Sequence, residues 1–295
     1  MISVAAHSSK SGQKRRKAVN AIMLTAAGLT TMIVVAPLIW ILAYVIKAGL
    51  PVLNFSFFTQ LPTPVGVPGG GLANALVGSL ITVGLGALIA APVGVLAGIY
   101  AATHPNTSLG LAIRFGTDVI SGVPSIVMGI FAYTLVVLPQ RHFSALSAGI
   151  VLSFIMVPII IRTTEEMVKL VPNSLREGSL ALGAAEWKTS ASVILPAALN
   201  GVLTGLMLAV ARAAGEAAPM LFTAFGNPFM NADINQPIAT LPHTIFTYAI
   251  APYADWHAKA WGTALVLITL VLLLNILARL IVWLRVRRLG SVVRS

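Results

Sequence analysis

Long apolar runs alternate with short polar ones along this chain. Six of the runs, 19–46, 73–102, 111–138, 144–161, 199–225 and 260–284, predict membrane-spanning helices. Each is near or above the ~17–25 residues that a helix needs to cross the hydrocarbon core. The first is too long for a signal-peptide core and no small-residue cleavage site follows it, so it reads as an uncleaved anchor. In the second run Ala90, Gly94 and Gly98 recur every four residues and give one small face, which lets helices approach closely. Pro92 should bend that helix. The third run is interrupted at Ser121-Gly122-Val123-Pro124-Ser125. Such a break at membrane depth is tolerated where backbone is buried in protein or lines a wet cavity.

The polar stretches divide in character. Two carry Gly/Pro punctuation and predict irregular loops: 47–72, with Pro51, Pro62, Pro64, Pro68 and Gly69-Gly70-Gly71, and 226–257, with Pro228, Pro237, Pro242 and Pro252. A third, 165–188, holds Glu165, Glu166, Glu177 and Glu186 with Lys169, Arg176 and Lys188, between two apolar runs. The chain therefore divides into a polar tail (1–18), a first span (19–46), a helical core (73–284) and a closing tail (285–295).

Composition fits this class. Of the 295 residues, 57% are hydrophobic and 9% charged, against about 25% charged in a soluble domain. Six spans put both termini on one side. Lys47, Arg141 and Lys259 then fall on the far side and Arg212 within the membrane; every other one of the 19 Lys and Arg residues lies near the termini, the 103–109 turn and 162–188. Lys and Arg accumulate on the cytoplasmic face, so both termini and the 165–188 stretch are expected there. The net charge of +11 follows from that bias and does not point to nucleic acid. With no cysteine, disulfides and thiolate chemistry are excluded.

The polar stretch carries a spaced pattern: Glu177-Gly178-Ser179, three residues, Gly183, nine residues, then Val193-Ile194-Leu195-Pro196. This resembles the signature loop of ABC importer permeases, Glu-Ala-Ala…Gly…Ile-x-Leu-Pro. Gly178 and Ser179 replace the alanines, and Val193 replaces an isoleucine. The resemblance implies a type I ABC importer permease fold: an all-α polytopic membrane protein with a cytoplasmic coupling helix between spans four and five. It also assigns Glu177, Gly178, Ser179, Gly183, Leu195 and Pro196 to the ATPase-coupling loop. Elementary propensities agree: Ala, Leu and Glu favour helix, Gly183 can take a left-handed turn, and Pro196 suits a first helical turn.

The fifth run holds Arg212 and Glu216. A central arginine costs about 2.5–3.5 kcal/mol on insertion scales and faces protein or water. Gly201, Gly205, Ala209, Arg212, Gly215, Glu216 and Pro219 are expected on one small, charged side of a continuous helix. Arg then Glu at i, i+4 is the weaker order for a helical pair. Near the third span, Arg114 and Asp118 are expected to pair at the cytoplasmic surface. The stretch from Ala211 to Phe222, together with Gly122–Val127 and Trp261-Gly262, resembles the phosphate-specific ABC importer permeases, the PstA and PstC pair; its Ala-Pro-Met-Leu-Phe continuation is similar to the PstA type. That resemblance implies a substrate pathway through Arg212 and Glu216. It implies a bacterial inner-membrane protein working with a homologous second permease, two cytoplasmic ATP-binding subunits and an external phosphate-binding protein, with lipid around it. No metal or cofactor is implied.

The chain lacks a Gly-x-x-x-x-Gly-Lys-Ser/Thr phosphate loop, so ATP hydrolysis is expected in a separate subunit. Guanidinium chemistry suits any oxyanion, which leaves molybdate or sulfate as alternative cargoes. A non-transporting sensor or scaffold is a further alternative. An intramembrane enzyme finds no support, since the five histidines lie in tails, turns or loop ends without metal-ligand spacing.

Overall fold

The computed structural model describes residues 10–67 and 69–292. Residues 1–9 of the expected tail, Pro68 of the first outer loop, and Arg294 lie outside the described residues. The chain begins with α1 (Lys10–Gly49), so helix starts inside the stretch expected as a tail. The punctuated loop that follows holds a short helix, α2 (Phe55–Thr59), capped where the Asn54 side chain accepts from the Phe57 amide. Then come α3 (Ala73–Thr103), unbroken through Pro92, and α4 (Ser108–Gly122). The third span does break as expected. Past Val123 and Pro124, α5 (Ser125–Ala132) continues through a π turn at Tyr133–Val137 into α6 (Leu138–Gln140). The two halves meet at 105°.

The central element is α7 (Ala145–Lys169). It runs two turns past the expected end at Ile161, because Thr164, Glu165 and Val168 are buried against neighbouring helices. The polar stretch then forms α8 (Asn173–Ala181) and α9 (Glu186–Thr189), and a π turn at Ser190–Ile194 leads into α10 (Leu195–Ala214). After α10 come α11 (Met220–Thr223), α12 (Leu241–Ala249) and α13 (Ala254–Val292). Among the described residues, five helices are long and apolar enough to cross a membrane, and counting the bent pair as one span gives six.

Each π turn ends two positions before a proline, Pro139 and Pro196. A proline in mid-helix lacks its donor and clashes with the carbonyl four residues earlier. The wider turn, closed by Leu138 N donating to Tyr133 O and Leu195 N to Ser190 O, carries the helix past that clash. Pro196 therefore lies inside a continuous helical path from Glu186, not at a fresh start.

Packing centres on α7. Gly86, Gly94 and Gly98 of α3 press on it; a Cβ on Gly94 would sit 2.7 Å from Ile160 Cβ, and one on Gly98 2.6 Å from Thr164 Cβ. Residue numbers rise together along this contact, so α3 and α7 run parallel. The small face of the second span is thus a helix–helix seam. On the other side Gly201 abuts Met167 and Gly205 abuts Thr163, which makes α10 antiparallel to α7. By contrast, α1 is exposed along most of its length and touches α13 near its outer end, where Tyr44 meets Trp261 edge-on at 4.9 Å.

Candidate functional site

The α10–α7 register fixes the depth of Arg212. Continuing antiparallel from Gly201–Met167 and Gly205–Thr163 brings Arg212 level with Ile155–Ile159. There it lines a cavity of about 60 Å³ with Ser121, Val123, Ser125, Ile155 and Pro158. That level is the middle of α7, which at 1.5 Å per residue is about 37 Å long. Arg212 is therefore level with the middle of α7, but the helix around it is not continuous. It occupies the last turn of α10, and Gly215 ends that helix by donating to the Ala213 and Arg212 carbonyls. The run 199–225 is a broken span. Its second half, from Gly215 to Phe225, is two turns of irregular chain and the short α11.

This changes the geometry of the charged pair. Glu216 lies beyond the helix end, so the two side chains are not stacked on one helical face. Arg212 Nε is 3.9 Å from Glu216 Oε1, longer than a hydrogen bond. The Arg212 side chain is 62% exposed and the Glu216 side chain 18%. Arg212 faces the break in the third span. Glu216 faces a second crevice, lined by Ser79, Thr82, Leu152 and Thr240. The small stripe Gly201, Gly205, Ala209 and Ala213 packs on α7, with Arg212 at its exposed edge. The expected shared small and charged face thus resolves into a packing seam and a charged rim. A cation in the last turn of a helix is favoured by the partial negative charge of the free carbonyls.

Two chain breaks meet here. A Cβ on Gly129 of α5 would lie 2.8 Å from Pro219 Cα and 3.2 Å from the Phe222 ring. The interruption after Gly122 and the one after Ala214 are thus packed together beside the arginine. Irregular backbone at this depth is buried in protein or faces the cavity, the two conditions under which it is tolerated.

At the far end of α7, near Lys169, the expected Arg114–Asp118 pair is absent. Arg114 Nε donates to Glu165 Oε1 at 2.7 Å, and its other nitrogens donate to the carbonyls of Ala101 (2.8 Å) and Pro105 (3.1 Å). Lys169 shares the same carboxylate oxygen. Asp118 faces Arg162 at 3.5 Å. Glu165 is 2% exposed, and a buried carboxylate needs such partners. Sequence spacing favoured the local pair and missed a partner 51 residues away.

The residues that the resemblance assigns to a coupling loop lie between the end of α7 and the first turn of α10. Glu177, Gly178 and Ser179 lie on α8, and Gly183 has φ +83°. Leu195 and Pro196 follow the π turn. Ser179 Oγ and Thr189 Oγ1 are 2.9 Å apart. Glu186 braces the turn between Arg176 (3.3 Å) and His104 (3.5 Å). The outward surface is a different matter: Leu182 is 90% and Trp187 74% exposed, and Glu177 makes no ion pair or hydrogen bond among the described residues. This hinge carries two exposed apolar side chains and, beside them, a carboxylate without a partner among the described residues.

Residues 94–289 match the family described as "Binding-protein-dependent transport system inner membrane component". The chain is 44% identical over 270 residues to the phosphate transport system permease protein PstA of Yersinia pestis, covering 91% of this chain and 92% of that one. It is 44% identical to the PstA protein of Haemophilus influenzae, over 90% of this chain and 94% of that one. Among solved structures it resembles the MetNI methionine ABC transporter in inward-facing conformations, with a TM-score of 0.56 and 20% identity over 72% of this chain and 93% of that one. The last likeness speaks to fold: a type I ABC importer permease core.

Proposed function

This chain belongs to the binding-protein-dependent transport system inner membrane components, within the PstA phosphate permeases, and from that premise we propose how it works. It is the membrane-spanning permease subunit of an ATP-driven ABC importer, and its cargo is inorganic phosphate. It sits in the bacterial inner membrane with both termini in the cytoplasm. A homologous second permease completes the pathway, two separate ATP-binding subunits supply the energy, and an external binding protein delivers the phosphate. The relatives' names favour phosphate over molybdate or sulfate.

Arg212 is the contact that phosphate meets on its way through. The observation behind this is its placement: an exposed guanidinium, level with the middle of α7, where two broken spans meet. Its planar fork matches two phosphate oxygens at once, which a lysine ammonium cannot do. Glu216, 3.9 Å away, competes with the anion and keeps it from being held too long. At the cytoplasmic end, Glu177, Gly178, Ser179 and Gly183 shape the hinge that docks the ATPase, with Leu182 and Trp187 as its apolar contacts.

The test is ATP-driven uptake of labelled phosphate by the complete complex in proteoliposomes, with molybdate and sulfate in parallel. Arg212→Gln should abolish uptake while the subunits still co-purify, and Arg212→Lys should restore it only in part. Arg212→Gln/Glu216→Gln should stay inactive, since nothing cationic then meets the anion. Near wild-type uptake by the double variant would show that the two charges serve each other and not the cargo.

A further inference from the structure

We propose that Thr240 is a positioning residue for Glu216: its hydroxyl takes the carboxylate by hydrogen bond when phosphate occupies Arg212. This rests on the reading of Arg212 and Glu216 as pathway residues. Thr240 is 2% exposed and its Oγ1 has no hydrogen-bond partner. A buried hydroxyl without a partner costs about 1–3 kcal/mol, so its presence needs a cause. Helix capping does not supply one. Thr240 stands at the N-cap of α12, yet its side chain accepts no amide there; only its backbone carbonyl is used, by the Thr244 amide and hydroxyl.

The crevice gives the cause. Thr240 and Glu216 line it together, with Ser79, Thr82 and Leu152. Its free volume is about 10 Å³, far too small for phosphate, and Glu216 is the ionisable side chain on its wall. Thr82 already donates to the Gly78 carbonyl, and Ser79 Oγ already accepts from the Leu241 amide at 2.7 Å. Thr240 is held firmly in place. Asn74 Nδ2 donates to the Asn227 carbonyl at 2.6 Å, the Ile238 amide donates to the Ala224 carbonyl at 3.2 Å, and Gly78 abuts the Ala239 carbonyl. An anion arriving at Arg212 repels the carboxylate beside it. The fixed Thr240 hydroxyl gives that carboxylate a resting place off the arginine, and from there it can return and displace the anion.

The experiment uses the full complex with binding protein in proteoliposomes. Thr240→Val keeps the shape and deletes the hydroxyl; Thr240→Ser keeps the hydroxyl. Thr240→Val should lower the maximal uptake rate about tenfold, the weight of one such hydrogen bond to a charge. The KM for phosphate-loaded binding protein should not change, and the melting temperature of the purified complex should not fall. Thr240→Ser should stay within about twofold of wild type. Wild-type uptake by Thr240→Val overturns the inference, as does a loss that tracks a fall in melting temperature or one that serine fails to rescue. Arg212→Gln, run alongside, separates the two readings. Normal uptake there removes the pathway assignment itself, whereas an inactive Arg212→Gln with a normal Thr240→Val removes only the role of Thr240.

Discussion

Gly205 lies directly against Thr163, so close that a methyl group on the glycine would overlap the threonine hydroxyl. One turn along, Gly201 stands in the same relation to Met167. These two contacts set the register of α10 on α7, and with it the depth of Arg212. Gly205→Val should push the helices apart and cost at least the 1–3 kcal/mol typical of overpacking. The purified complex should melt at a lower temperature and lose uptake without any change at the arginine. An unshifted melting curve would mean that this seam does not set the register.

Gly183 is a cleaner case, because a Cβ there would meet nothing within 4 Å. Its only constraint is φ +83°, which costs a β-branched residue most and asparagine least. Gly183→Val should uncouple ATP turnover from transport, whereas Gly183→Asn should keep most of the coupling. Equal coupling in the two variants would mean that the left-handed turn is dispensable. Phosphate-stimulated ATPase activity of the reconstituted complex is the measurement.

The outer segment carries its own pH dependence. His243 on α12 is half-buried against Gly226, and burial pulls its pKa below the ordinary 6.5. The folded form thus holds the ring neutral, and the unfolded chain takes the proton first. Stability is full above pH 6.5 and falls as the pH drops below it, by at most about 1.4 kcal/mol per pH unit for one proton. Melting temperatures between pH 7.5 and 5 should fall more steeply for wild type than for His243→Gln. Parallel curves would rule the histidine out.

Topology can be tested because the chain has no cysteine of its own. Leu182→Cys, on the most exposed point of the hinge, should react with an impermeant thiol reagent only in inside-out vesicles. Val65→Cys, exposed in the first outer loop, should react in intact cells. The reverse pattern would invert the assigned orientation.

What could be read from the sequence was what local chemistry decides. Gly183 announces a left-handed turn, Val123-Pro124 announces a break, and the spacing of Ala90, Gly94 and Gly98 announces a close seam. What could not be read depended on distant partners. Arg114 had Asp118 four residues away, and only the fold shows that Glu165 on α7 is the nearer and better buried acid. The break after Ala214 was masked by the length of the run 199–225, although Gly215 followed by Pro219 is itself a helix-stop signal. Thr240 gave no signal at all: a lone threonine in an outer loop becomes notable only once its hydroxyl is seen to lack a partner.

The end of α10 at mid-depth bears on leakage. A helix C-terminus carries about half a negative charge. Beside it the Glu216 carboxylate offsets the Arg212 cation. With Glu216 beside it, the end of α10 therefore carries little net positive charge with which to hold a stray anion. On the proposed reading, the guanidinium attracts an anion at full strength only once the carboxylate is drawn aside.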